Sequence, residues 1–223
     1  MLEDIKQLSK YFDHTNLKQD ATQKDILTLC QEAIEYKLYA ICVNPCYVLY
    51  AKDILASSDV KIATVIGFPL GANRTEVKLQ EALLAVKDGA DELDMVANIG
   101  LIKDHRFADV EREISQIRKN IPYNILLKVI VESSQLSDNE IVEVTKVVVN
   151  SGADYIKTST GIFGSATENA VQLMYQISNG NIKVKASGGI KSLSDCKSMI
   201  SAGASRIGSS SSVEILSNIS EKK

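Results

Sequence analysis

ADYIKTSTG, residues 153–161, alternates so that Tyr155, Lys157 and Ser159 fall on one side of a β-strand and Ile156 and Thr158 on the other. A glycine precedes the stretch, and the same punctuation occurs three times, as Gly89-Ala90-Asp91, Gly152-Ala153-Asp154 and Gly203-Ala204-Ser205. Such a glycine ends a helix, and the apolar run after it launches a strand. Outward from here, similar runs recur at YFDHTNL (11–17), YAICV (39–43), KIATVIGF (61–68), DELDMV (91–96), ILLKVIV (125–131), DYIKTS (154–159), IKVKAS (182–187) and RIGSS (206–210). Their centres lie about 28 residues apart, the length of one strand plus one helix. Between two of them Phe107, Val110, Ile114, Ile117 and Ile121 recur at helical steps of three or four, and Ser137 with Glu140 forms a capping box. Eight such units predict an α/β chain forming one domain over residues 1–223, a (β/α)8 barrel. The spacing also allows a doubly wound open sheet.

The 223 residues contain no Pro-, Gly- or Ser-rich linker, and 45% are apolar, enough for a sizeable core. No apolar run approaches the roughly 20 residues a membrane span needs, and MLEDIKQLSK at the N-terminus lacks the apolar core of a secretory signal. The expected location is cytoplasmic, and the four cysteines are expected as reduced thiols. Cys42 and Cys46 have a loose metal-like spacing, but neither His14 nor His105 sits in a ligand-like motif, so no metal site is expected. A net charge of -3 without a basic run argues against nucleic acid as a partner. No Gly-x-Gly-x-x-Gly follows the first strand and no Walker lysine motif occurs.

Alternation turns Lys128, Lys157 and Lys185 inward on three consecutive strands, while Val129, Ile156 and Val184 face the helices. One lysine at a strand end commonly snorkels to solvent, but three together mark a site that uses them. Asp94, opposite in parity to Leu93 and Met95, is their counter-ion or a proton-transfer group; Glu92 shares its parity nearer the start of the strand. A free lysine has a pKa of about 10.4 and must fall by about three pH units to attack a carbonyl near neutrality, which is ~4 kcal/mol. Two ammoniums about 5 Å apart at an effective dielectric of ~20 repel by about 3 kcal/mol, so on this reading the neighbouring cation supplies most of the depression. The iminium ion that a neutral amine forms withdraws electrons and permits proton loss or carbon–carbon cleavage beside it.

A second theme is phosphate. ASGGI (186–190) and IGSSSS (207–212) place glycines and hydroxyls after the last two strands and before helices, where a barrel commonly holds a phosphate on backbone N–H groups.

The ordered set DHTNL (13–17), CVNP (42–45), TVIGFPLG (64–71), GADELDMV (89–96), LLKVIVE (126–132), GADYIKTSTG (152–161), VKASGGI (184–190) and AGASRIGSSS (202–211) resembles the deoxyribose-phosphate aldolases, a class I aldolase family. The resemblance spans nearly the whole chain. It implies a TIM barrel that reversibly cleaves 2-deoxy-D-ribose 5-phosphate into D-glyceraldehyde 3-phosphate and acetaldehyde, in the degradation of deoxyribose phosphate, without metal or organic cofactor. It implies Lys157 as Schiff-base nucleophile, Lys185 as the neighbouring cation and Asp94 as a participant in proton transfer, with Lys128 in support. By the same resemblance Gly161, Gly188, Gly189, Gly208, Ser210 and Ser211 bind phosphate, and Asp13, Thr15 and Cys42 lie near the substrate hydroxyls. Some relatives follow the IKTSTG motif with a phosphate-binding lysine, where this chain has Ile162, and some use a C-terminal tyrosine, where this chain ends SNISEKK. Phosphate binding is therefore expected to rest on amides and hydroxyls, and proton transfer on Asp94, Lys185 and water. Another Schiff-base phospho-sugar aldolase, a transaldolase-like barrel or a non-catalytic phosphate-binding barrel are the other readings. The expected partner is a phosphorylated sugar, with a homodimer as the expected assembly.

Overall fold

The computed structural model describes residues 5–220; the two ends of the 1–223 span, including the start of MLEDIKQLSK and the last three residues of SNISEKK, lie outside the described residues. Eight strands run parallel in chain order: β1 Phe12–Asn16, β2 Ala40–Val43, β3 Lys61–Ile66, β4 Glu92–Val96, β5 Leu126–Ile130, β6 Tyr155–Lys157, β7 Lys183–Ser187 and β8 Arg206–Ser209. Each pairs with the next and β8 pairs with β1, so the sheet is a closed barrel and the open-sheet alternative falls. The helices are α1 Ile5–Leu8, α2 Gln23–Glu35, α3 Val48–Leu55, α4 Thr75–Asp88, α5 Ile99–Lys103, α6 Phe107–Asn120, α7 Asp138–Asn150, α8 Glu168–Ser178, α9 Leu193–Ser201 and α10 Ser212–Ser220. Two of them are additions to the eightfold repeat: α1 precedes the first strand, and α5 sits in the β4 to α6 connection.

Local chemistry explains the boundaries. Ser137 and Glu140 cap α7 reciprocally, as Thr22 with Asp25 does for α2 and Ser192 with Asp195 for α9. Gly89 ends α4 with φ +105°, a left-handed conformation that suits glycine. On α6, Val110, Ile114 and Ile117 are buried, and Ile121 continues the stripe just past the helix end.

The apolar core lies between strands and helices, where Val129, Ile156 and Val184 join Val110, Ile114 and Val144. Inside the barrel the β2 to β3 side is apolar, with Cys42, Ala63 and Val65 against Leu17 and Phe68. Elsewhere the interior buries the charged groups Asp13, Glu92, Asp94, Lys128, Lys157, Lys185 and Arg206 alongside apolar residues such as Val96 and Ile130. No helix among the described residues is long and apolar enough to cross a membrane.

Candidate active site

Register brings the inward lysines together. Lys157 of β6 pairs with Lys185 of β7, Lys185 with Arg206 of β8, and Asp94 of β4 with Lys128 of β5. Neighbouring strands lie about 4.8 Å apart, so these side chains enter the barrel side by side. Asp94 is fully buried and collects all three amines: its Oδ2 accepts from Lys157 Nζ at 2.7 Å and from Lys185 Nζ at 2.6 Å, and its Oδ1 accepts from Lys128 Nζ at 2.8 Å. Asp13 lies beneath, paired with Lys185 and Arg206, and Glu92 pairs with Lys128 at 2.5 Å and with Arg206 at 3.1 Å.

These contacts set the protonation states. Burial pushes the Asp94 carboxyl up, but Lys128, Lys157 and Lys185 together hold it well below the ordinary carboxylate range, so it stays ionised. Asp13, also opposed by burial, is lowered to about 2 by Lys185, Arg206 and Lys128. Lys185 loses its water yet is raised, because Asp13 and Asp94 both face it. Lys157 alone of the three inward lysines is lowered, first by burial and then by Lys185, against the pull of Asp94. The sequence reading gave most of that depression to the neighbouring cation; in the structure loss of water is the larger cause. The reason is geometric: Asp94 lies between the two amines, and its charge offsets the repulsion.

Above this cluster a cavity of about 520 Å³ opens at the C-terminal ends of the strands. Of the buried charges on the barrel floor, only Lys157 lines it. Gly161, Gly188 and Gly189 line the far side, all with positive φ, and a Cβ on Gly188 would come within 2.8 Å of the Gly164 carbonyl oxygen. The β6 to α8 and β7 to α9 loops thus meet backbone to backbone, which leaves no room for side chains. Thr15, Gly208 and Ser210 also reach the cavity.

Three other expected site residues do not line the cavity, although Asp13 pairs with Lys185 and Cys42 lies beside the buried amines. Asp13 is below the floor, and Cys42 is in the apolar wall with its thiol pushed up by burial. Ser211 does not line the cavity, and its N–H donates to Ser209 Oγ at 3.0 Å. Gly208 lies within β8 rather than beyond it, and a Cβ there would meet Ser187 Cβ at 2.9 Å and Lys185 Cε at 3.2 Å. Its lack of a side chain makes room for the lysine.

Sequence reasoning passed over Arg206, Lys191 and Glu132. Arg206 opens β8 with the parity of Gly208, a signal that points inward, but an arginine at a strand start ordinarily reads as surface. Lys191 follows ASGGI directly and lines the cavity. Glu132 is 2% exposed and left-handed at φ +51°, and its Oε2 accepts from Thr160 N at 3.1 Å and from Thr160 Oγ1, which braces the loop after Lys157. Nothing local in VIVESSQ marks that burial. Among the described residues no group of three or more His, Cys, Asp or Glu side chains is arranged to hold a metal ion.

Comparison with known proteins agrees with this geometry. A deoxyribose-phosphate aldolase of Aciduliprofundum boonei is 48% identical over 97% of this chain and 98% of its own, and one of Clostridium kluyveri is 47% identical over 96% and 98%. A solved structure described as a tetrameric deoxyribose phosphate aldolase from Aeropyrum pernix superposes with a TM-score of 0.92 at 33% identity, over all of this chain and 94% of that one. The model of the DeoC/LacD family aldolases matches residues 8–216. With a barrel that buries three lysines around one carboxylate and a family model matched from the first strand to the last helix, the chain belongs to the DeoC/LacD aldolase family.

Proposed function

We propose that this protein is an aldehyde-lyase that reversibly cleaves 2-deoxy-D-ribose 5-phosphate to D-glyceraldehyde 3-phosphate and acetaldehyde through a Schiff base on Lys157. The observation that carries the reading is that Lys157 is the single amine of the buried cluster both lowered in pKa and open to the cavity. Its neutral Nζ adds to the C1 aldehyde of the open-chain sugar. Loss of water from the carbinolamine gives the iminium ion. Removal of the C3 hydroxyl proton then breaks the C2–C3 bond, whose electrons pass into the iminium to leave an enamine and release the phosphorylated aldehyde. Protonation of the enamine at C2 and hydrolysis free acetaldehyde and restore the amine.

Asp94 and Lys185 supply the proton traffic in this scheme. Asp94 Oδ2 is shared by both amines, so a proton leaving Lys157 has an ionised acceptor at hydrogen-bond distance and a charged donor on its other side. Lys128 holds Asp94 from the remaining oxygen. The substrate phosphate meets the loops at Gly161, Gly188, Gly189 and Ser210, near the start of α10, and Lys191 adds the cation that Ile162 does not. Thr15 is placed toward the sugar hydroxyls. The reading carries with it a cytoplasmic enzyme and the homodimer expected from sequence, which sedimentation would check.

The test is borohydride reduction with substrate followed by peptide mass analysis. Lys157 gains the adduct, and Lys157→Ala loses at least about a thousandfold in turnover while its circular dichroism is unchanged. An adduct on another residue, or use of dihydroxyacetone as donor in place of acetaldehyde, sinks the assignment.

A further inference from the structure

The charges under the cavity form a closed alternating ring. Arg206 meets Asp13, Asp13 meets Lys185, Lys185 meets Asp94, Asp94 meets Lys128, Lys128 meets Glu92, and Glu92 returns to Arg206. Every member touches two of opposite sign, so the ring is neutral by itself. Lys157 is the seventh group, the odd amine, and it touches one carboxylate oxygen that Lys185 already occupies. The guanidinium of Arg206 cannot discharge at any ordinary pH and is further fixed over the ring of Tyr39, 3.7 Å from its centroid.

We propose that Arg206 is a positioning residue for the amine chemistry, setting with Glu92 the proton count of the barrel floor so that Lys157 is the amine left uncharged. The inference rests on the Schiff-base reading above and adds the source of its selectivity. Arg206 satisfies one side of Asp13 and one side of Glu92. Without it, Asp13 draws harder on Lys185 and Glu92 on Lys128; both amines then lean away from Asp94, and the carboxylate is free to hold Lys157 as an ammonium. Loss of the Glu92 charge acts in the opposite sense, because Lys128 then leans on Asp94 and weakens its hold on Lys157. Lys157 is faced by Asp94 from β4, Lys185 from β7 and Cys42 from β2, with His14, Lys18, Asp25, Glu32 and Lys191 around the cavity it opens to; Lys128, Asp13, Glu92 and Arg206 act on it through the ring. Among the ring members, Arg206, Glu92 and Asp13 do not touch Asp94, and Arg206 and Glu92 are the two that also leave both partners of Lys185 in place.

The experiment is the pH profile of kcat/KM for cleavage of 2-deoxyribose 5-phosphate, with borohydride trapping at Lys157 measured across the same range. Arg206→Met moves the acid limb upward by about one pH unit, so that activity lost at neutrality returns in alkali; Glu92→Gln moves it downward by a similar amount. The double variant has the original charge balance and returns the limb toward its starting position. Should Arg206→Met fail to fold, Arg206→Lys and Glu92→Gln decide: the first keeps the charge and leaves the limb in place, and the second still shifts it to lower pH. A limb that stays fixed in Glu92→Gln, or that moves the same way in both single variants, overturns the inference even while the Lys157 adduct forms. Absence of that adduct in the unaltered protein overturns the Schiff-base reading instead.

Discussion

Lys157 and Lys185 are the same side chain in the same register on adjacent strands, and their different surroundings divide their behaviour. Lys185 lies between two carboxylates, whereas Lys157 has one shared oxygen and a face on the cavity. Stability should separate them. Lys185→Met leaves Asp13 and Asp94 each short of a buried partner and is expected to cost about 3–5 kcal/mol. Lys157→Met removes the odd amine and leaves the ring intact, so its expected cost is under about 1 kcal/mol. Urea unfolding of the two variants checks this; equal losses would contradict the ring. The alternation of KVKAS and YIKTS made both lysines legible as inward residues. The alternation alone did not divide their roles; the family resemblance assigned the cation to Lys185, and the physical cause, Asp13, lies 172 positions away in sequence from Lys185.

At the level of elements, the helices were readable where their chemistry is local. The Ser137 and Glu140 capping box, the glycine after α4 and the apolar stripe of α6 each follow from a few neighbouring residues. Lys78 on α4 was not readable. In TEVKLQEALL it has the look of a solvated helix position, yet it is wholly buried, with Nζ donating to Val96 O at 2.9 Å and to Glu113 Oε1 on α6 at 2.8 Å. Glu113 Oε2 in turn accepts from the N–H of Asn98 at 3.1 Å, so the pair pins the end of the strand that carries Asp94. Lys78→Met strands a buried carboxylate and is expected to lower stability by about 3 kcal/mol, whereas adding Glu113→Gln recovers part of that loss. Thermal or urea unfolding of the single and double variants measures the coupling; simple additivity would show that the pair does not act as a unit.

For the whole molecule the buried ring ties stability to pH. Asp13 has an ordinary carboxyl pKa of 3.8 and a folded value of about 2, and Asp94 is lowered as well. A depressed carboxyl stabilises the fold fully above its ordinary value, and that contribution disappears as pH falls through the folded value. Asp13 alone accounts for about 2 kcal/mol, so stability is expected to hold level from about pH 5 to 8 and to drop steeply between about 4 and 2. Urea midpoints across that range provide the check, and a midpoint already falling at pH 6 would contradict it. The sequence by itself determined the eight strands, the helices between them and the inward face of the four strands that carry Asp94, Lys128, Lys157 and Lys185, because periodicity, caps and glycine turns act over a handful of residues. Closure of the barrel decided the rest. Only when β8 pairs with β1 do Arg206 and Asp13 meet, and only then does the ring of charges exist that leaves a single lysine, at position 157, with neither a second carboxylate nor a wall above it.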